Sequence, residues 1–569
     1  MTRSPQLPVP YDADVIVVGG GPVGLLVAAD LDARGVATIV VEDRPFLEPP
    51  NVKCNHVSAR TMEAFRRLGL ADAVRDAGLP PEHPQDVAFR TSATGIEFGR
   101  IPIPSAAARR RGDGTGPDTT WETPEPPHRV NQRYLEPILE RHVAALPHVD
   151  LRNDTRCTAV VQDDDGVAAT LRGSGDGPEV TVRARFLVGA DGGRSLVRKT
   201  IGARLHGDPV LQHVQSTCVR VPGLAERVDA DPAWGVYVFN PRRQGHVYAI
   251  DGRDVFLVHT YLTPEEVAQH SVDRDRAVRD ILGVGDDVAY EVLSTEDWVA
   301  RRLVADTFRD RRVFLAGDAA HLWVPYGGYG MNAGIADGLN LAWLLGAVVT
   351  GWADESVLDA YAAERQPITD QVSRLAMGHL RKIGATDLPA HLEADDAAGE
   401  AARRELGELA YRLNVQQFAA AGLNFGYSYS GSPIIAHDGE APDYTMGDYT
   451  PSTVPGCRLP HVWLGDGVSL YDRLGPWYTL VVAGEAGAPD AELEAWVAAW
   501  VSAARSAGLP LEALVVPHDV VPDSYGTRYV IARQDQHVAW RGDELPADPS
   551  ALAATLGSLR ARQRAGVAA

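Results

Sequence analysis

Six residues near the N-terminus, Gly19-Gly20-Gly21-Pro22-Val23-Gly24, constrain this chain more than any other feature. They stand between a short apolar run, Val15–Val18, and a helix-compatible stretch, Pro22–Arg34, which leads to a second apolar run at Val36–Val41. Strand, GxGxxG turn, helix and strand in that order make a βαβ unit whose first turn holds a dinucleotide. Gly19 is expected to permit the tight turn, Gly21 to let the backbone approach a diphosphate, and Gly24 to let helix and strand pack closely. The helix N-terminus adds unpaired N–H groups and partial positive charge. Glu42 closes the second run, near the ~20-residue offset at which a carboxylate binds a ribose 2′-hydroxyl. The pattern alone does not separate FAD from NAD.

At 569 residues the chain exceeds one compact core, and ~100–200 residues per domain implies two to four units. Its 54 basic and 76 acidic residues leave a net charge of −22, which argues against nucleic acid or an anionic membrane as a partner. Cys54, Cys157, Cys218 and Cys457 form no CxxC pair. Neither a disulfide framework nor a zinc site is expected, and the usage fits a reducing compartment. No signal-peptide pattern opens the sequence, and the apolar stretch Leu339–Ala353 is interrupted by Asn340 and falls short of the ~20 residues that span a bilayer. The expected setting is cytoplasmic.

Two later segments decide the dinucleotide. Phe186–Ile201 carries Asp191-Gly192 after a buried run, and Arg312–Trp343 carries Gly317-Asp318 after another. With the GxGxxG turn, these resemble the three fingerprints of the class A flavoprotein monooxygenases, the p-hydroxybenzoate and phenol hydroxylase family. Ser58–Leu70 resembles the family segment with an arginine near the FAD, here Arg60. Gln132–Glu136 resembles its glutamine-bearing helix, and Tyr361–Pro367 the helix after the flavin site. The tail, with HVWL at His461–Leu464 and QDQHVAWR at Gln534–Arg541, resembles the thioredoxin-like domain of the phenol and polyketide hydroxylase branches. Without a CxxC, packing or homo-oligomer contact is its expected role.

The implied fold class is α/β: an FAD-binding Rossmann-like domain with an inserted β-rich substrate domain and a C-terminal thioredoxin-like domain. Residues 1–85, 129–205 and 301–385 are assigned to the FAD domain, 86–128 and 206–300 to the substrate sheet, 386–430 to a helical connector, and 431–569 to the tail. The Gly/Pro/Tyr-rich stretch Tyr427–Pro460 reads as a linker, and Arg109–Gly116 as an exposed mobile loop. A solvated loop is also the preferred reading of Arg109–Arg111 over a site for the NADPH phosphate.

The resemblance implies FAD as cofactor, NADPH (or NADH) and O2 as cosubstrates, no metal, and a small aromatic, phenolic or polyketide-like substrate. Hydride reduces the FAD, O2 adds at flavin C4a, and one oxygen passes to an electron-rich ring. Asp318 is placed to accept hydrogen bonds from ribityl hydroxyls. Asp191 is either linked to FAD and nicotinamide or a turn stabiliser. In the segment that begins at Pro325, Gly328 and Gly330 clear space for a planar ring, and Met331 and Asn332 sit where a helix N-terminus faces the flavin pyrimidine edge. Candidate catalytic residues are His56, Arg44 and Pro325, with Lys53 a further polar group; the histidine of the phenol branch aligns one position earlier, on Asn55. Tyr237, Tyr248, His259 and Tyr261, on alternating strands, are expected to line the substrate pocket. Baeyer–Villiger oxidation, epoxidation, or a flavin-binding sensor or scaffold without turnover are the alternatives; halogenation is disfavoured because no WxWxIP motif is present.

Overall fold

The computed structural model describes residues 11–50, 52, 56–174, 177–323, 328–384, 388–484, 491–564 and 566. The strand Ala13–Val18 lies at the centre of the first sheet, parallel to Thr38–Val41 on one side and Glu179–Gly189 on the other. Val149–Arg152 and Val313–Leu315 extend the parallel set outward. Both faces of the central strand are covered, which is why it reads as an unbroken apolar run and not as an alternating one. Val15, Ile16 and Val17 are fully buried.

One covering layer is the helix Pro22–Asp32, and against it packs the 21-residue helix Tyr329–Val349. A Cβ at Gly338 would stand 2.9 Å from Val27 Cγ2, so glycine is what permits this close crossing. The second helix is longer than the apolar stretch visible in the sequence, and by length and hydropathy it could cross a membrane. Here most of it is buried in the protein core.

The second sheet has eight strands among the described residues, in the order His321–Leu322, Glu291–Ala305, Leu205–Arg220, Val255–Leu262, Gly245–Ala249, Gly235–Val238, Val87–Arg90 and Glu97–Ile101. Pairing is antiparallel except between Gly235–Val238 and Val87–Arg90, because the 87–101 hairpin arrives from much earlier in the chain. Strand alternation sorts its residues. Val236, Val238, Val247 and Val258 point to an apolar core closed by Val278, Ile281 and Leu282 of the helix Arg274–Leu282. Tyr237, His246, Tyr248, Leu257 and His259 fall on the opposite face, toward a cavity.

The helix Ala397–Phe418 does more than connect. It crosses the Glu97–Ile101 edge so closely that a Cβ at Gly407 would lie 2.0 Å from the Phe98 carbonyl oxygen. A third sheet, of order Leu511–Val516, Tyr478–Ala483, Tyr529–Arg533, Val538–Gly542, pairs its first two strands in parallel and the rest antiparallel, with the helix Ala491–Ser506 joining the parallel pair. This unit is fastened to the first by buried charges. Arg533 bonds Glu364 at 2.6 Å and Arg458 bonds Glu63 at 2.7 Å. Burial alone would raise the Glu63 carboxyl, but Arg458 and then Arg60 hold it below its ordinary range.

Two local expectations are revised. Tyr427–Pro460 is no free linker: Tyr427, Tyr429, Ile434 and Ile435 are buried, and Tyr429 stacks on His537 at 3.8 Å. Its glycines and prolines shape a packed crossing instead. Arg109–Gly116 is mostly exposed, as expected, but is not a loop throughout, because Ala106–Arg111 is a helix capped by Ser105 and closed by Gly112 at φ 71°. Its arginines pair with Asp118, Asp76, Asp113 and Glu82. Local ion pairs therefore occupy the cluster.

Candidate active site

One cavity of about 1060 Å³ runs from the glycine turn to the inner face of the second sheet. At its first end Gly19 has φ 110°, and a Cβ there would meet the Ala190 carbonyl oxygen at 2.3 Å. A Cβ at Gly24 would lie 1.9 Å from the Gly19 carbonyl oxygen, and one at Gly21 would meet nothing within 4 Å. The first two glycines are thus needed for packing, and the third leaves backbone open to the cavity. Gly21 is the N-cap of the helix that follows, so first-turn N–H groups point the same way.

Glu42 stands beside this turn. The Gly20 N–H donates to it at 2.7 Å, and Arg44 donates through its backbone N–H at 3.1 Å and Nε at 2.8 Å. Arg44 also reaches Glu136 at 2.8 Å, and the Gln132 amide bonds the same carboxylate. Burial pushes the Glu136 carboxyl up, against the pull of Arg44. Glu42, Arg44, Gln132 and Glu136 form one chain of contacts on the cavity wall at the turn. Arg44, a candidate catalytic residue, therefore orients carboxylates at the dinucleotide end of the cavity.

Asp191 lines the cavity, yet its carboxylate accepts from the backbone N–H of Leu196 at 2.6 Å and of Val197 at 3.1 Å. It also bonds the Ser195 hydroxyl, so the turn-stabilising alternative describes its side chain. Asp318 is exposed to the cavity on a short 3-10 turn. Behind it, Asp337 accepts from the Gly317 N–H at 3.3 Å, His321 Nε2 at 2.6 Å and Arg365 Nε at 2.9 Å. Burial would raise Asp337, but His321 and Arg365 keep its carboxyl below the ordinary range. The strand-end turn is thereby tied to the long helix and to the Tyr361–Pro367 segment, a brace that sequence reading missed.

Gly328 caps the long helix at φ 69°, and a Cβ there would stand 2.7 Å from His56 Cβ. His56 is buried in this contact, with its ring 5.5 Å from that of Tyr329, and it borders the cavity. Gly330 and Met331 also border it. Asn332 corrects an expectation: its amide donates to the carbonyls of His56 at 3.0 Å and Gly328 at 2.7 Å and accepts from the Ser58 N–H at 2.8 Å. Those bonds clamp residues 56–58 to the helix start and direct the side chain away from the cavity. Arg60 is displaced likewise. Its guanidinium bonds the Asp535 carbonyl at 2.8 Å and the Gln536 side chain, joining the third sheet and not the cavity wall. Pro325, Lys53 and Asn55 lie outside the described residues.

At the far end, Tyr237, Tyr248, His259 and Tyr261 all line the cavity. Direct register partners make a row across five strands: Tyr237, His246, His259, Ser216 and Glu296. Tyr237 stacks on His246 at 3.5 Å, and the Tyr261 hydroxyl lies 2.8 Å from His246 Nδ1. Trp298, Trp234, Trp323, Gln417 and Phe418 complete the wall. His246 was legible, two residues before Tyr248 on the same strand face. Gln417 and Phe418, at the end of the Ala397–Phe418 helix, had no such signal. Burial pushes His259 down to about 4 and, with the charge of His259 as a lesser cause, His246 well below the ordinary imidazole value, so both rings are neutral near pH 7. Burial pushes the Tyr248 phenol up to about 12.

A glycine cradle with an acidic ribose partner fits FAD, and the FAD-binding domain family matches residues 12–376. The chain belongs to this family of FAD-dependent aromatic hydroxylases. It is similar to the FAD-dependent monooxygenase apdD of Emericella nidulans, 31% identical over 93% of this chain and 88% of that protein. It is similar to the 2,4-dichlorophenol 6-monooxygenase of Cupriavidus pinatubonensis, 32% identical with 94% of each covered. Among solved structures, RebC with bound 7-carboxy-K252c superposes with a TM-score of 0.85 at 32% identity, over 97% of this chain and 100% of that one. The hydroxylase is accordingly an FAD-dependent monooxygenase, and reduced nicotinamide and O2 are the cosubstrates typical of its family. In it, Gly19, Gly21, Glu42, Gln132 and Asp318 line the cavity, and Gly24 packs against the turn. Among the described residues no His/Cys/Asp/Glu group could hold a metal ion.

Proposed function

We propose that this hydroxylase adds one oxygen atom to a phenolic, polyketide-like aromatic ring held against the inner face of the second sheet. The observation that carries the reading is that one cavity is lined by the glycine cradle at one end and the aromatic row at the other. Bound FAD supplies the two-electron exchange with reduced nicotinamide and the activation of O2. The chain's own residues position and dry the substrate. Tyr237, Tyr248, Trp234, Trp298 and Phe418 offer flat apolar surface to a ring. The neutral His246 and His259 present hydrogen-bonding groups without a buried charge, which a low-dielectric pocket tolerates. The helix start at Gly328–Met331 borders the cavity, and its first-turn N–H groups would supply partial positive charge to a bound reduced flavin.

His56, at the start of the long helix, is proposed as the substrate-side polar group nearest that edge. Residues 431–569 are proposed to form the thioredoxin-like unit; the sheet order with a helix joining its parallel pair supports this, and bracing through Arg458 and Arg533 is its role. A cytoplasmic setting is proposed on cysteine usage.

The test is anaerobic reduction of the purified yellow protein by NADPH, with and without a panel of phenols and polyketide aromatics, followed by ¹⁸O2. One aromatic should accelerate flavin reduction and gain one labelled oxygen. NADPH oxidation that no aromatic accelerates, with only hydrogen peroxide formed, would sink the reading.

A further inference from the structure

Trp298, Ser216 and His259 form a hydrogen-bonded chain across three strands of the pocket wall, outside the frame that holds FAD. Trp298 Nε1 lies 2.7 Å from Ser216 Oγ, and His259 Nδ1 lies 3.1 Å from the same oxygen. An indole N–H only donates, so Ser216 accepts from Trp298. Ser216 Oγ keeps one proton and a second lone pair; with no other partner for that oxygen among the described residues, its proton goes to His259 Nδ1 as acceptor. A neutral imidazole with an unprotonated Nδ1 carries its proton on Nε2. The ring lines the cavity and is partly exposed to it. His246 and Ser216 flank it as register partners, and Glu296 stands one strand further.

We propose that His259 is a specificity-determining donor: its Nε2–H favours a substrate that places an acceptor oxygen against it, so an aryl carbonyl in that place is preferred over a methylene on the same phenol. Ser216 and Trp298 are positioning residues that fix the tautomer. The proposal rests on the hydroxylase reading above and narrows its substrate class. An imidazole free to choose would accept from a phenol O–H as readily as it donates to a ketone. The relay disfavours the first option, because with His259 inverted Ser216 would accept from two N–H groups and its own buried proton would be left without an acceptor. A buried donor left without an acceptor costs more than the bond contributes when made, so the ketone is favoured over a methylene in the same place.

The matched probes are 5-hydroxy-1-tetralone and 5,6,7,8-tetrahydro-1-naphthol, which differ by one carbonyl against a methylene. Each is titrated into the FAD-loaded full chain, followed by flavin absorbance, for the wild type and for Ser216→Ala, Trp298→Phe and His259→Phe. The wild type should bind the ketone roughly 5- to 10-fold more tightly. His259→Phe should remove that ratio, and Ser216→Ala should reduce it. ¹⁵N-histidine NMR on the same proteins supplies a readout that packing does not move: His259 as the Nε2–H tautomer in the wild type, and a mixture in Ser216→Ala. Equal affinity for both probes in the wild type, or an Nδ1–H ring there, overturns the proposal. If neither probe binds, the phenol reading fails, and the NMR arm still decides the relay.

Discussion

The two ends of the cavity are built by different rules. At the dinucleotide end the turn itself is made of backbone atoms of residues within a few positions of each other, Gly19, Gly21 and Gly24, with the side chains of Glu42, Gln132 and Asp318 beside it. At the substrate end they are side-chain atoms drawn from strands that begin at residues 205, 235, 245, 255 and 291 and from a helix that ends at Phe418. A backbone site tolerates almost no added atom, since the chain cannot move aside. A site of side chains on a sheet can exchange members while its scaffold stands. This difference teaches how one family can keep a cofactor and vary what it oxidises.

The largest expected effect tests the rigid end. Gly24→Ala brings a methyl to within 1.9 Å of the Gly19 carbonyl oxygen, and no flexible side chain is there to yield. The purified variant should be colourless or unfolded, with FAD affinity reduced more than ~100-fold and stability lowered by roughly 3 kcal/mol or more. Yellow protein with wild-type melting temperature would show that the turn is softer than its geometry.

A middle-sized effect separates the ends by pH. His259 is held near 4 and His246 well below its ordinary value, so the unfolded chain binds more protons than the native one as pH falls below about 6.5. Stability contributed by keeping these rings neutral is fully present above that pH and declines toward pH 4, by about 1.4 kcal/mol per pH unit for each proton taken up. His461 and His537, pushed mainly by burial to about 4 and about 3, act in the same direction. Denaturant melts between pH 7 and 4.5 should therefore slope downward in the wild type and less steeply in His259→Phe. Parallel slopes would mean that His259 is solvated and ordinary.

The smallest effect is expected at Tyr237→Phe. It removes the 3.3 Å hydrogen bond to Gln417 and the hydroxyl's contact with Tyr248, and keeps the stacking on His246. FAD content should be unchanged and stability lower by under about 1 kcal/mol, with a few-fold rise in the aromatic's KM. Loss of FAD from this variant would erase the distinction between the two ends.

Sequence alone determined the parts whose physics is local. A GxGxxG turn between two buried strands needs no tertiary partner to be recognised, since glycine at φ above zero and a helix N-terminus are properties of neighbouring residues. The Asp191-Gly192 and Gly317-Asp318 turns and the family resemblance were legible for the same reason, as were Tyr237, Tyr248, His259 and Tyr261 through strand alternation. Tertiary structure decided everything that depends on which strand pairs with which. Only the register places Ser216 between His259 and Trp298, and only packing turns Arg60 and Asn332 from flavin contacts into braces. The same holds for Arg109–Arg111, whose carboxylate partners lie between 2 and 34 positions away in the chain. A side chain's type and local period say which face it takes, but its partner is set by chain segments that meet only after folding, and there the sequence by itself is silent.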